Sequence, residues 1–186
     1  MQGGARSRLL ELLRTHAFAR RRVILASGRE SDFFIDCKQV VLTAEGHALV
    51  GEVLLAALSS LEPCVAVAGV ELGGCPLASA VALTSFLRQA PLDAIYVRKD
   101  AKDHGTARLI EGNSRLPAAA PVALLEDVVT TAGSTLKAAS KLRDAGCALI
   151  GVVALIDRME GGRQAIEAAG VPFVAIYTRE DFIPAG

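Results

Sequence analysis

From about position 64 onward the chain alternates between short, almost wholly apolar runs and longer segments whose apolar residues recur every three or four positions. The runs are Cys64 to Ala68, Asp93 to Val97, Val122 to Leu125, Leu149 to Ile156 and Phe173 to Tyr177. Short apolar runs bounded by turn residues predict buried strands. Between them, Pro76 to Gln89, Ser134 to Ala145 and Gly161 to Ala169 predict helices. In the second of these, Ala138, Leu142 and Ala145 share one face, and Lys137, Lys141 and Arg143 lie largely elsewhere. Near-continuous apolar strands separated by helices predict an α/β fold with a parallel central sheet covered on both faces.

The first sixty residues follow a different pattern. Arg6, Arg8, Arg14, Arg20, Arg21 and Arg22 surround a stripe of Leu9, Leu10, Leu12 and Leu13, so Arg6 to Arg22 reads as one amphipathic helix. An organelle transit peptide is the alternative, and Glu11 inside the segment argues against it. Val23 to Leu25 is short and extended, Ser27-Gly28-Arg29 is a turn signal, and Asp32 to Asp36, with Phe33 beside Phe34, is β-prone. Together they predict a hairpin packed on the main body. A further helix begins after a Thr43 cap, with Glu45 in its first turn, and runs to about Leu61, ahead of Pro63.

With 186 residues, 52% of them hydrophobic, the chain can bury a sizeable core within one domain. Its longest apolar run, Cys147 to Ile156, falls well short of the roughly 18 to 20 residues that span a bilayer, so a soluble protein with no membrane partner is expected. Twenty basic residues balance twenty acidic ones, which argues against a general nucleic-acid binder. Cys37, Cys64, Cys75 and Cys147 form no C-x-x-C and read as reduced core thiols of a cytoplasmic protein. His16 and His47 have no partner pattern and read as surface or helix residues.

Candidate chemistry concentrates after the third apolar run. Val122 to Leu125 turns acidic at Glu126 and Asp127, then passes through Val128, Val129, Thr130, Thr131, Ala132 and Gly133 to Ser134 and a helix. Ligands of open α/β sheets bind at the carboxyl ends of strands, and the new helix offers unpaired N–H groups to an anion. The threonine and serine hydroxyls suit a phosphate. Ionised carboxylates accept only, so Glu126 and Asp127 suit neighbouring hydroxyls or a metal reached through water. A phosphate plus a vicinal diol is a ribose phosphate; the alternative is an ordinary strand ending in a polar turn.

Two further loops stand out. More than twenty residues between Val97 and Pro121 show little apolar periodicity, and loops of that length are functional or disordered. This one opens with Arg98, Lys99, Lys102 and His104, which fit either a solvated charged loop or a site for a strongly anionic group. Gly69-Val-Glu-Leu-Gly-Gly-Cys-Pro76 lets backbone amides approach an anion, and its spacing matches neither a Walker loop nor a dinucleotide fingerprint.

The Val122 to Thr135 stretch resembles the signature of the type I phosphoribosyltransferases. Arg98-Lys-x-x-Lys-x-His-Gly105 is similar to the mobile loop of the orotate-specific branch of that family. Ser27 to Asp36 and Asp157-Arg158 resemble its orotate-side elements. The resemblance implies one domain over 1–186 with the type I phosphoribosyltransferase fold: a parallel central sheet flanked by helices, a small amino-terminal hood from roughly 20–40, and a carboxyl-terminal tail. It implies that Glu126 and Asp127 hold the ribose of 5-phosphoribosyl-1-diphosphate (PRPP), that Thr130 to Ser134 hold its 5-phosphate, and that Val128 and Val129 also belong to the PRPP site. Arg98, Lys99, Lys102 and His104 would serve the diphosphate, with Lys102, His104 and Asp127 catalytic. Phe34, Thr130 and Arg158 would hold orotate. Mg²⁺ is the implied cofactor, held mainly through substrate and water, and a homodimer sharing lid residues 98–105 is the implied assembly.

The chain departs from the family at several points. Ala132 replaces the commonest glycine and is expected to keep φ negative. Leu72 and Gly73 stand where a lysine is frequent, Ala26 replaces a lysine, and Glu30 stands where a basic residue is common. A purine phosphoribosyltransferase, or a PRPP-binding regulator without catalysis, are the rival readings.

Overall fold

Aromatic packing decides the start of the chain. In the computed structural model, which describes residues 2–24, 30–100 and 109–183, α1 (Gln2–Leu12) widens into a π-helical turn over Leu13–Ala17. The chain then reverses into β1 (Phe18–Ile24), antiparallel to β2 (Glu30–Ile35). The expected single helix from Arg6 to Arg22 is therefore overturned: Arg20, Arg21 and Arg22 belong to the strand. The Phe18 ring lies 5.1 Å from Phe33 and 5.5 Å from Phe182, and Arg20 Nε lies 3.5 Å from Asp32 Oδ2. Burial of those rings outweighs the few tenths of a kcal/mol per residue, roughly, that arginine's helix propensity offers. The turn signal at 27–29 lies outside the described residues.

α2 (Lys38–Val41) leads to α3 (Ala44–Leu58). As expected, Thr43 caps α3, its hydroxyl accepting the Gly46 N–H at 3.1 Å, and Glu45 pairs with Arg8 at 2.7 Å. The alternation then proceeds as β3 (Ala66–Val70), α4 (Gly74–Leu87), β4 (Asp93–Val97), β5 (Ile110–Glu111), β6 (Pro121–Val129), α5 (Gly133–Asp144), β7 (Ala148–Asp157), α6 (Gly162–Ala168) and β8 (Phe173–Thr178). The sheet order is β5-β4-β3-β6-β7-β8, parallel throughout except for β5 on the edge. β5 and a 3-10 turn at Asn113–Arg115 lie inside the segment read as a loop. Two strand residues are too few to show a period.

The parallel strands are buried on both faces, which is why they read as unbroken apolar runs. Val67, Ala123, Leu125, Val153 and Leu155 join Leu54 of α3 and Leu77 and Val81 of α4 in one core. Ala68, Val122, Leu124, Val152 and Ala154 join Ala138 and Leu142 of α5 and Ile166 of α6 in the other. α4 and α5 thus cover opposite faces, and the chain changes face between the neighbouring strands β3 and β6. The carboxyl-terminal segment ties these parts together: Tyr177 donates its hydroxyl to Arg6 O at 2.6 Å, and Phe182 meets Phe33 edge-on at 5.7 Å. All four cysteines are free. No helix among the described residues is long and apolar enough to cross a membrane.

α3 and α4 approach closely at Gly51, where a Cβ would collide with the Thr84 hydroxyl and lie 2.8 Å from Ala80 O. Gly51→Ala is expected to cost about 1–3 kcal/mol of overpacking, more than the ~1 kcal/mol gained from alanine's helix propensity. Thermal melts should fall by several degrees, at roughly 2–4 °C per kcal/mol; an unchanged or raised melting temperature contradicts this packing.

Candidate active site

β6 continues through the acidic pair to Val129, because β7 goes on pairing with it: Glu126 lies opposite Ala154, Val128 opposite Ile156 and Val129 opposite Asp157. The strand carries Glu126 inward, where it is 5% exposed. Its Oε1 accepts from Ser134 Oγ at 3.1 Å, while Oε2 has no hydrogen-bond partner among the described residues. Burial first, and the neighbouring Asp127 charge second, push the Glu126 carboxyl up to about 8. Burial also raises Asp127, against the opposing pull of the Val128 N–H, which donates to Oδ1 at 2.9 Å, and of the Lys38 charge. Buried polar atoms are almost always paired. A carboxylate oxygen held here without a donor suits a ligand hydroxyl.

The following loop turns sharply into α5. Ala132 adopts φ 64° and ψ 12°, so the expected negative φ is overturned. A left-handed alanine costs roughly 1–2 kcal/mol. That cost is met because Ala132 is buried at 3% exposure and its carbonyl accepts the Leu136 N–H at 2.9 Å inside the helix. The first amides of α5 lack intrahelical partners and face the loop. Thr130 is half-buried and Thr131 exposed, whereas the Ser134 hydroxyl turns back to Glu126. Val128 and Val129 put their side chains into the cores, so only their backbone faces the loop.

Across from this loop, the chain leaving β3 crosses Asp127 at Gly73, where any Cβ would collide with the carboxylate. The Glu71–Leu72 peptide there is cis, and Leu72 is exposed. The Lys99 N–H donates to Glu71 Oε2 at 3.1 Å, Arg98 lies 3.7 Å from Glu111, and the Lys99 charge acts on Glu126. Arg98 and Lys99 are thus at the same end of the sheet as the carboxylate pair. Lys102 and His104 fall in 101–108, outside the described residues.

The remaining side is built around Arg158, which leaves β7 almost fully buried. Its guanidinium lies 5.4 Å from the Phe33 ring centroid and 2.8 Å from Glu160 Oε1. Arg179 approaches the same ring at 5.9 Å and pairs with Asp32 at 2.6 Å. Phe34, alternating along β2, faces away from Phe33 and is half-buried. Asp157 accepts the Met159 N–H at 2.8 Å, which fixes the turn carrying Arg158. His16 is exposed, and His47 Nδ1 lies 3.2 Å from Val41 O.

Several residues of this neighbourhood carried no signal in the sequence. Lys38, which pairs with Asp36 and whose charge acts on Asp127, and Glu71, which receives the Lys99 N–H, belong to no motif in their segments. Phe33 could have been found only by phasing β2, and Glu160 only by its distance of two residues from Arg158.

Residues 54–178 match the family model described as a phosphoribosyl transferase domain. An orotate phosphoribosyltransferase of Sorangium cellulosum is 68% identical over 179 residues, covering 96% of this chain and 93% of that one. One from Rhodopseudomonas palustris is 39% identical over 184 residues, 98% of each. The crystal structure of Mycobacterium tuberculosis H37Rv orotate phosphoribosyltransferase in complex with PRPP superposes with a TM-score of 0.77 at 31% identity, covering 96% of this chain and 98% of that chain. With this likeness running through both the hood and the sheet, the chain belongs to the orotate phosphoribosyltransferase family.

Proposed function

We infer that the chain transfers the 5-phosphoribosyl group of PRPP to orotate, giving orotidine 5′-monophosphate and diphosphate for pyrimidine biosynthesis. The observation that carries this reading is one end of one sheet that holds a carboxylate pair with Glu126 buried, a helix-start loop and a buried arginine against an aromatic ring. Glu126 and Asp127 accept from the ribose hydroxyls, and the loop from Thr130 to Ser134, entered through Val128 and Val129, holds the 5-phosphate. Arg98, Lys99, Lys102 and His104 hold the diphosphate. Orotate lies by Phe34 and Thr130, and its carboxylate meets the fork of Arg158, a geometry that guanidinium suits.

The reaction breaks the bond from C1 of the ribose to the diphosphate oxygen, whose electron pair leaves with the diphosphate. C1 passes through oxocarbenium character, and N1 of the orotate anion then forms the new bond from the opposite face. No protein base is required when orotate binds as the dianion, its carboxyl ionised and its N1 proton already lost to solvent. The residues' main work is to place the reactants and to meet charge as it develops on the leaving group.

Mg²⁺ fits this donor set. Glu126 and Asp127 offer hard oxygens, including the orphaned Oε2. No group of three or more His, Cys, Asp or Glu stands together among the described residues. The ion would be held mainly through substrate oxygens and water, with the charges of Glu126 and Asp127 close enough to favour it there. When bound, the ion supplies neutralising charge to the diphosphate and ribose oxygens. The working form is a cytoplasmic homodimer in which lid residues 98–105 are shared across the interface.

Three outcomes are expected. With PRPP and Mg²⁺, the ultraviolet absorbance of orotate should be consumed while uracil, adenine and hypoxanthine are left; consumption of a purine alone defeats the reading. Lys102→Ala should lower kcat by about 100-fold or more with modest loss of substrate binding, because the cation acts when leaving-group charge develops; unchanged turnover removes the lid from the mechanism. The third concerns stability without ligand. Glu126 ordinarily ionises near 4.5 and here near 8, so the folded chain holds a proton that the unfolded chain has lost, and this group makes stability fall as pH rises across that window. Glu126→Gln should therefore melt increasingly above the parent between about pH 5 and pH 8; a constant difference contradicts the burial effect.

A further inference from the structure

The peptides that follow β4 are held from several sides. Val97 O accepts the Glu71 N–H at 2.9 Å, and the Arg98 N–H donates to Leu109 O at 2.9 Å. The Lys99 N–H donates to Glu71 Oε2 at 3.1 Å. From α5, Lys141 Nζ donates to two consecutive carbonyls, Arg98 O at 2.8 Å and Lys99 O at 2.6 Å. Every polar backbone atom from Val97 O to Lys99 O thus has a protein partner, although Lys99 and Asp100 are exposed. Exposed peptides are commonly satisfied by water alone. Here a lysine gives up rotamer freedom to cross a cavity of about 340 Å³, lined also by Val70, Ser134 and Lys137, and ties them down. Its bonds are charge-assisted, hence stronger than neutral ones.

These peptides, a strap from Val97 to Lys99, contribute no side chain to the core beyond Val97, so core packing does not call for this tie. What the tie fixes is the origin of two cationic side chains. We propose that Lys141 is a positioning residue of the transfer reaction: by binding the Arg98 and Lys99 carbonyls to α5, it holds those two cations where the diphosphate departs. Glu71 supplies the opposite anchor from the β3–α4 loop. The inference rests on the reading of Arg98 and Lys99 as diphosphate ligands. Without the Lys141 ammonium the two carbonyls turn to water, and the cations spread over positions that miss the leaving group. The half of PRPP that meets the loop after β6 is indifferent to the change.

Calorimetric titration of the full chain with Mg²⁺ and inorganic diphosphate, and separately with ribose 5-phosphate, tests this. Lys141→Met should weaken diphosphate by about tenfold, the scale of losing hydrogen bonds to a charged group, and leave ribose 5-phosphate within about twofold. The KM for PRPP should rise more than the KM for orotate, and Lys141→Arg should recover most of the loss. Lys141→Gln, which retains one donor group, serves if the methionine variant does not fold. Unchanged diphosphate affinity, an equal loss for both ligands, or no recovery with arginine overturns the proposal. Arg98→Ala/Lys99→Ala separates the two layers. If that double variant loses diphosphate affinity and Lys141→Met does not, the positioning role alone fails. If the double variant also binds diphosphate normally, the strap reading fails and the positioning role with it.

Discussion

A carboxylate oxygen buried without a donor is costly, and Glu126 carries one in the carboxyl-terminal half of β6, one of the two central strands. Desolvating an ionised carboxylate costs several kcal/mol, roughly, unless partners compensate, and the chain responds by keeping Glu126 protonated to about pH 8. Asp127 beside it is raised in the same direction. The remainder of the site is arranged to supply what this pair lacks. Ser134 gives one hydroxyl to Oε1, and a ribose would bring two more, with a divalent cation nearby. The pair's burial therefore lowers folding stability, and it does so at the place where the fold brings other loops together.

That place follows from the sheet. α4 leaves β3 toward one face and α5 leaves β6 toward the other, so the loops after these adjacent strands diverge and leave a crevice between them. Gly73 lets the first loop touch Asp127. The left-handed Ala132 lets the second turn directly into the start of α5. The strap after β4 closes the crevice on one side, through Glu71 and Lys141. Arg158, leaving β7 beside Phe33, closes it on the other and brings the hood into the site.

Much of this was legible in the sequence. The five apolar runs gave the parallel strands because burial on both faces removes polar residues from them. The acidic pair stood out because it interrupts such a run. The same interruption hid the true length of β6, whose last four residues are strand only because β7 pairs with them. Ala132 departs from its residue preference for a related reason: its local bias to negative φ yields to a strand end and a helix start that are both fixed by packing. The arginines at 20–22 looked helical until Phe18 found Phe33 and Phe182, contacts distant in the chain. Two-residue β5 carries no period at all. Lys38, Glu71, Glu160 and Lys141 matter through what they face, and facing is a property of the fold.

The central claim is that Glu126, whose buried Oε2 has no partner among the described residues and whose carboxyl burial raises, accepts from the ribose hydroxyls of PRPP and gives up its proton on doing so. Calorimetry of PRPP binding at pH 7 with saturating Mg²⁺, in two buffers of different ionisation enthalpy, counts the protons exchanged. Relative to Glu126→Gln, the parent chain should release close to one additional proton, approximately the occupancy at pH 7 of a group titrating near 8. Equal proton release by the two proteins would contradict it.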